Sequence, residues 1–221
     1  MKRYSAVVFD WDGTLMDSTH SIASSIQGAC RDLSFPVPSD SEARWVIGLS
    51  LDIALYRLVP DLTAEQYPLF LESYKEHFHK QDTQLRFFEG VPELVSGLRQ
   101  KKVMLGVATG KSRAGLDRML QAQQWHHHFD ITRCADESFG KPHPGMLLDI
   151  MQSLDLQPEQ VLMVGDTSHD VLMARNAGID SLAVSYGAHD KSTLLDSQPT
   201  VMVDTVDAMR GWLDGHVVEL N

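Results

Sequence analysis

The sequence predicts an α/β fold, a doubly wound parallel sheet with an all-α cap inserted after its first strand. Three observations predict it. Short apolar runs rich in β-formers recur along the chain without polar alternation, as strands covered on both faces by helices require. Helical patterns separate the later runs, and repeated strand–helix–strand order reads as a parallel sheet. Between the first run and Val91 there is no convincing strand, so the alternation is broken in one place.

Residues 4–10 form the first strand, and Ile22, Ile26, Ala29, Cys30 and Leu33 then mark one face of a helix. "SDSE" (39–42) fits a capping box, in which a serine and a glutamate three residues on satisfy each other's backbone N–H groups. "TAEQ" (63–66) is a second, and Tyr67, Phe70, Leu71, Tyr74 and Phe78 follow at helical spacing. Helices are expected over 91–101, 113–124, 145–154 and 170–177, the last closed by Gly178. Strands are expected over 103–109, 161–166, 181–185 and 201–204, with 130–136 a weaker sixth. An insertion that leaves and rejoins the sheet at neighbouring points divides the chain into a core of residues 1–16 and 84–221 and a helical cap of residues 17–83.

Composition narrows the partners. A net charge of −11 opposes nucleic acid and anionic membrane surfaces, whose phosphates it would repel. The basic run "RQKK" (99–102) reads as a solvated helix end. No stretch approaches the ~20 apolar residues of a membrane span. The apolar run after "MKR" is too short for a signal peptide and soon meets Asp10. Cys30 and Cys134 lack CxxC spacing and lie in apolar-periodic segments, which suits buried free thiols in a reducing compartment. A cytoplasmic protein is expected, and no periodicity demands a second copy. "WHHHF" (125–129) reads as a polar helix end, because three consecutive histidines cannot point one way.

Chemistry gathers at the strand ends. "VVFDWDGTLMDS" (7–18) closes an apolar strand on Asp10 and adds Asp12 and Asp17 close behind. A "DG" turn explains Asp12, but not a carboxylate at the strand's own end. Crowded carboxylates repel and are costly to desolvate unless a positive charge sits among them. In open parallel sheets ligands bind beyond the carboxyl ends of the strands, where strand order reverses. Asp10, Thr109 and Asp166 end three of the apolar runs there, and Lys141 lies in "GKPHP" after the weak strand. Each type serves phosphoryl transfer. Asp10 and Asp166 suit a hard divalent cation such as Mg2+, which with Lys141 removes the repulsion between an anionic nucleophile and a phosphate. The Thr109 hydroxyl and the backbone N–H groups of Gly110 and Lys111 can donate to phosphate oxygens. Asp12 can exchange a proton from the turn.

"FDWDGT" (9–14), "VATGK" (107–111), "GKPHP" (140–144) and "GDTSHD" (165–170) resemble, in order and spacing, the four motifs of the haloacid dehalogenase superfamily. "DSTHSIASSIQGAC" and "VIGLSLDIAL" are similar to its helical-cap subgroup, which includes phosphoglycolate phosphatase. The likeness runs from about residue 5 to about residue 190. It implies a Rossmann-like core and a Mg2+-dependent phosphatase of a small phosphorylated metabolite. Asp10 would attack phosphorus and form an aspartyl-phosphate, while Asp12 protonates the leaving alcohol and then activates water. The metal would be held by the Asp10 carboxylate, the Asp12 backbone carbonyl and Asp166, with Asp170 beside it. Thr109, Gly110 and Lys141 would bind the transferring phosphate. Lys111 is a rival for the last role, less favoured because Gly140 and Pro142 fix the Lys141 loop.

Asp12 separates the alternatives, since dehalogenases and phosphonate-cleaving members lack it. Arg44, Gly48, Leu49, Ser50 and Arg57 are cap residues expected near the crevice, where an arginine suits a carboxylated ester such as 2-phosphoglycolate. Trp11 is expected to pack at the crevice wall. A sugar-phosphate mutase is the nearest rival, weakened because Ile22 falls near the place of the mutase histidine. A non-catalytic binding module is a third reading, opposed by the intact acidic and basic set.

Overall fold

The apolar runs become the strands of one sheet in the computed structural model, which describes residues 3–81 and 85–219. The strands are β1 (Ala6–Phe9), β2 (Met104–Thr109), β3 (Ile131–Cys134), β4 (Val161–Gly165), β5 (Asp180–Val184) and β6 (Val201–Val203). All pair in parallel, in the order β3-β2-β1-β4-β5-β6. The weak run at 130–136 is β3, an edge strand with three of its four residues half-buried.

Both faces of the central strands are covered, which explains their unalternated sequences. Val7 and Phe9 of β1 face one apolar cluster with Leu105, Val107, Leu162 and Val164. Ala6 and Val8 face the other, with Ala108, Val161 and Met163. Successive side chains point to opposite faces, and here each face meets helices.

The described part of the insertion holds four helices: α1 (Thr19–Asp32), α2 (Asp40–Trp45), α3 (Leu51–Leu58) and α4 (Tyr67–His79). The capping box at Ser39 and Glu42 forms and opens α2. The box at Thr63 and Gln66 also forms, on the turn ahead of α4, which begins at Tyr67 with Pro68 in its first turn. The chain leaves and returns at one place: Met16 bridges Phe87, Asp17 N–H donates to the Arg86 carbonyl at 2.9 Å, and Phe88 N–H to that of Leu15 at 3.1 Å. The expected boundary at residues 83 and 84 lies outside the described residues. Ile26, Val46, Leu55, Phe70 and Phe78 of the cap belong to the same apolar cluster as one sheet face.

The remaining helices are α5 (Val91–Gln100), α6 (Arg113–Gln123), α7 (Gly145–Ser153), α8 (Ser168–Asn176), α9 (Lys191–Asp196) and α10 (Val206–His216). Helix α8 starts two residues before the expected Asp170. Thr167 is its N-cap and Asp170 its third residue, and the two form a capping box. The last two helices were not expected.

Candidate active site

Strand order reverses about β1, whose neighbours β2 and β4 lead to opposite edges of the sheet. Asp10 follows β1, Thr109 ends β2 and Asp166 follows β4, so residues about a hundred positions apart become neighbours at one sheet end. This is the switch-point crevice of an open α/β sheet.

Asp10, Asp166 and Asp170 are almost completely buried and bring one carboxylate oxygen each within 4.8 Å of one another. The Lys141 ammonium, also buried, lies 2.8 Å from Asp10 Oδ1 and 2.6 Å from Asp170 Oδ1. Backbone and hydroxyl donors hold the rest in place. Trp11 N–H donates to Asp10 Oδ1 at 2.7 Å. The Thr14 hydroxyl and Ala188 N–H each donate to Asp166 at 2.7 Å. Thr167 donates to Asp170 through N–H at 3.0 Å and Oγ at 2.6 Å. Gly13, at φ +79°, lets the turn after β1 close on this group, since a Cβ there would lie 2.1 Å from Asp166 Oδ2.

Three carboxylates outnumber the one ammonium. At an effective dielectric of 20, each pair of like charges under 5 Å apart repels by roughly 3 kcal/mol. Burial first, then Asp170, pushes Asp166 up to about 7. Burial also raises Asp10 well above the usual carboxylate range, against the opposing pull of Lys141. Asp10 Oδ2 is buried with no hydrogen-bond partner. An all-oxygen, electron-rich group with an orphaned carboxylate oxygen fits a hard divalent cation such as Mg2+. The Asp12 carboxylate is outside this group. Its Oδ1 accepts from the Ser18 hydroxyl at 2.5 Å, and its Oδ2 pairs with Lys111 Nζ at 3.0 Å. Asp17 is exposed and takes no part.

A cavity of ≈ 690 Å³ opens between cap and sheet, lined by Asp10, Asp12, Thr109 and Gly110 on the sheet side. Lys111 N–H donates to Thr109 Oγ1 at 3.2 Å, leaving that hydroxyl its proton to donate. Lys141, Asp166 and Asp170 stand behind this wall, while Lys111 is on it. Gly48, Leu49 and Ser50 line the cavity as expected, but Arg44 and Arg57 do not. Arg44 is held by Asp40 and Thr19, and Arg57 lies 3.7 Å over the Trp45 ring. The cavity's cations come instead from Lys75 on α4, Lys111 and Arg118 on α6. Lys111 Nζ and the Arg118 guanidinium lie 5.1 and 5.9 Å from the Phe78 ring centroid, so one cap aromatic meets two core cations.

Trp11 is not on the cavity wall. It packs edge-on against Phe87 and Phe129 in an aromatic cluster, because the cap enters beside Phe87. Trp125 and His128 of "WHHHF" stack in the same cluster. Ser18, Lys75 and Arg118 were missed from sequence. Lys75 sits one position after Tyr74 on the apolar stripe of α4, a signal legible only once the stripe is known to face the core. Both cysteines are free and buried, their thiols pushed by burial up to about 11 for Cys30 and about 12 for Cys134. Among the described residues no helix is long and apolar enough to cross a membrane.

Comparison with known proteins finds relatives that match most of the chain. A family model described as haloacid dehalogenase-like hydrolase matches residues 7–184. A probable phosphatase of Dickeya dadantii, IndB, is 35% identical over 210 residues, covering 93% of this chain and 91% of the relative. A phosphoglycolate phosphatase of Vibrio cholerae is 28% identical over 221 residues, covering 95% and 96%. The solved structure of a hydrolase from Pseudomonas syringae superposes with a TM-score of 0.87 at 22% identity, covering 95% of this chain and 98% of that one, a likeness of fold.

Proposed function

The chain belongs to the haloacid dehalogenase-like hydrolases, and from that premise we propose that it is a Mg2+-dependent phosphatase of a small phosphomonoester. One observation carries the reading: Asp10 sits at the switch point with an orphaned oxygen, flanked by two further buried carboxylates and one ammonium, at the floor of the cavity. The core is taken as residues 1–16 and 84–221 and the cap as residues 17–83, in a cytoplasmic enzyme.

Asp10, Asp166 and the Asp12 carbonyl would hold Mg2+, with Asp170 beside it, and the ion would supply positive charge that offsets the carboxylate repulsion and favours attack on an anionic phosphate. Thr109, Gly110 and Lys141 set the phosphate against Asp10. Lys141 favours the ionised form of Asp10, the form that burial disfavours. Asp10 attacks phosphorus, the ester P–O bond breaks, and Asp12 gives its proton to the departing oxygen. Asp12, then ionised, takes a proton from water. The resulting hydroxide displaces Asp10 and frees inorganic phosphate. Ser18 holds Asp12 at the cavity wall for both transfers, and Lys111 stabilises the carboxylate left by the first.

Lys75, Lys111 and Arg118 give the cavity a cationic side and favour an ester with a second acidic group. 2-Phosphoglycolate is the first candidate, the substrate named for the Vibrio cholerae relative. Ile22 on the wall gives the mutase reading no proton carrier there. The test is phosphate release across a panel of phosphomonoesters, including 2-phosphoglycolate and sugar phosphates, with Mg2+ and with chelator. Mg2+-dependent turnover is expected. Silence across the panel from folded protein, or interconversion of sugar phosphates without release, would overturn it.

A further inference from the structure

Two histidines with no place in this chemistry meet on one backbone carbonyl of the cap. His169 on α8 and His189 after β5 each donate an Nε2–H to the Trp45 carbonyl at 2.9 Å. Their rings pack edge to face, centroids 5.0 Å apart, and each is 4% exposed. The Trp45 indole lies edge-on to His169 at 4.7 Å and stacks on His189 at 5.8 Å. Ser168 N–H donates to His189 Nδ1 at 3.1 Å, so that nitrogen bears no proton and the Nε2–H tautomer is set. A carbonyl has two lone pairs, and both are used.

The cap residues just beyond Trp45 give this contact its importance. Gly48, Leu49 and Ser50 form the cavity wall opposite Thr109 and Gly110. A Cβ on Gly110 would lie 2.4 Å from the Leu49 carbonyl oxygen and 2.6 Å from that of Gly48. Gly48 itself has φ +93°, and a Cβ there would meet Thr167 Oγ1 at 3.1 Å. Backbone meets backbone at this seam, so no flexible side chain absorbs an error in placement.

We propose that His169 and His189 are paired positioning residues, a two-point latch on the Trp45 carbonyl that seats the cap loop over the phosphate-binding end of β2. The kinetic consequence of the latch rests on the phosphatase reading, whereas the latch itself does not. Each neutral hydrogen bond is worth about fivefold in an equilibrium, so losing one donor lowers the ratio of seated to open loop by about that factor.

The test uses full-length protein with Mg2+ and compares His169→Leu, His189→Leu and His169→Gln. Leucine removes the donor, and glutamine places an amide N–H near the reach of Nε2. Amide hydrogen exchange of residues 46–49 reads the opening of the loop directly, and steady-state kinetics reads its effect on turnover. Exchange about fivefold faster in both leucine variants is expected, with near wild-type exchange in the glutamine variant. KM should rise by no more than that factor, with kcat changed by less than about twofold. Unchanged exchange in the leucine variants would overturn the latch. So would a fall in kcat at constant KM, which would place the histidines in the chemistry. Faster exchange in protein that hydrolyses no ester would sustain the latch and sink the phosphatase reading. Should a leucine variant not fold, His169→Asn, which is polar but too short to reach the carbonyl, gives the same reading.

Discussion

Replacing Lys141 by methionine tests the electrostatics of the site most directly. The ammonium touches Asp10 and Asp170, and its side chain is wholly buried. In metal-free protein the variant leaves Asp10, Asp166 and Asp170 clustered without it. Removing one partner of a buried ion pair costs about 3–5 kcal/mol, and methionine keeps most of the stem's volume, so the cavity contribution is small. For a chain of this size 1 kcal/mol moves Tm by roughly 2–4 °C, which gives a deficit on the order of 6–20 °C. The sign of its pH dependence comes from the carboxyls. Burial, with Asp170, raises Asp166 to about 7, and burial raises Asp10 further once the opposing Lys141 is gone. A carboxyl with a raised folded pKa destabilises when ionised; that penalty is full above the folded pKa and fades as pH falls towards the unfolded value. The deficit should therefore be larger at about pH 8.5 than at about pH 5, and Mg2+ should restore part of it. Calorimetric melts of wild type and K141M, at both pH values and with Mg2+ or chelator, measure this. A deficit below about 2 °C, or one indifferent to both pH and Mg2+, would refute the reasoning.

The same geometry sets other outcomes. Asp10→Asn should abolish phosphate release while leaving the circular dichroism spectrum intact; retained turnover would remove Asp10 as nucleophile. In single-turnover assays Asp12→Asn should slow release of the alcohol from alkyl phosphates by about 10²–10⁴-fold and release of p-nitrophenol much less, because that leaving group needs no proton, while the later hydrolysis of the intermediate slows for both. Equal slowing of the two releases would deny Asp12 the acid role. Arg118→Met should raise KM for a carboxylated ester by about tenfold and leave neutral-tailed esters nearly unchanged, and a uniform effect would disprove selective recognition. Mg2+ affinity, by titration calorimetry, should weaken as pH falls through about 7, where Asp166 takes up its proton. A flat profile would exclude Asp166 from the metal.

The sheet was legible in the sequence because each of its central strands is covered twice. Val7 and Phe9 face one cluster and Ala6 and Val8 the other, so the run carries no polar residue until Asp10. A parallel sheet then collects Asp10, Thr109 and Asp166 at one end, because the strand ends that carry them lie side by side about the switch point. The structure sets Lys141 among them. Start and stop signals were also local: the Ser39 box opens α2 as read. The Thr167 box was overlooked, and with it the true start of α8.

What could not be read was how the cap meets the sheet. Arg44 and Arg57 were the arginines expected near the crevice, yet Lys75 and Arg118 reach the cavity in their place. Trp11 turns to Phe87 and Phe129, and two histidines, one on α8 and one in the loop after β5, converge on one carbonyl. By itself the sequence determined the six strands, the helices between the earlier ones, their order and the residues that end the strands, because periodicity and turn chemistry act within a few neighbouring residues. The tertiary structure alone decided which cap side chains face the cavity, because that depends on the angle at which helices packed on one shared apolar cluster cross the sheet, a property of the assembled whole.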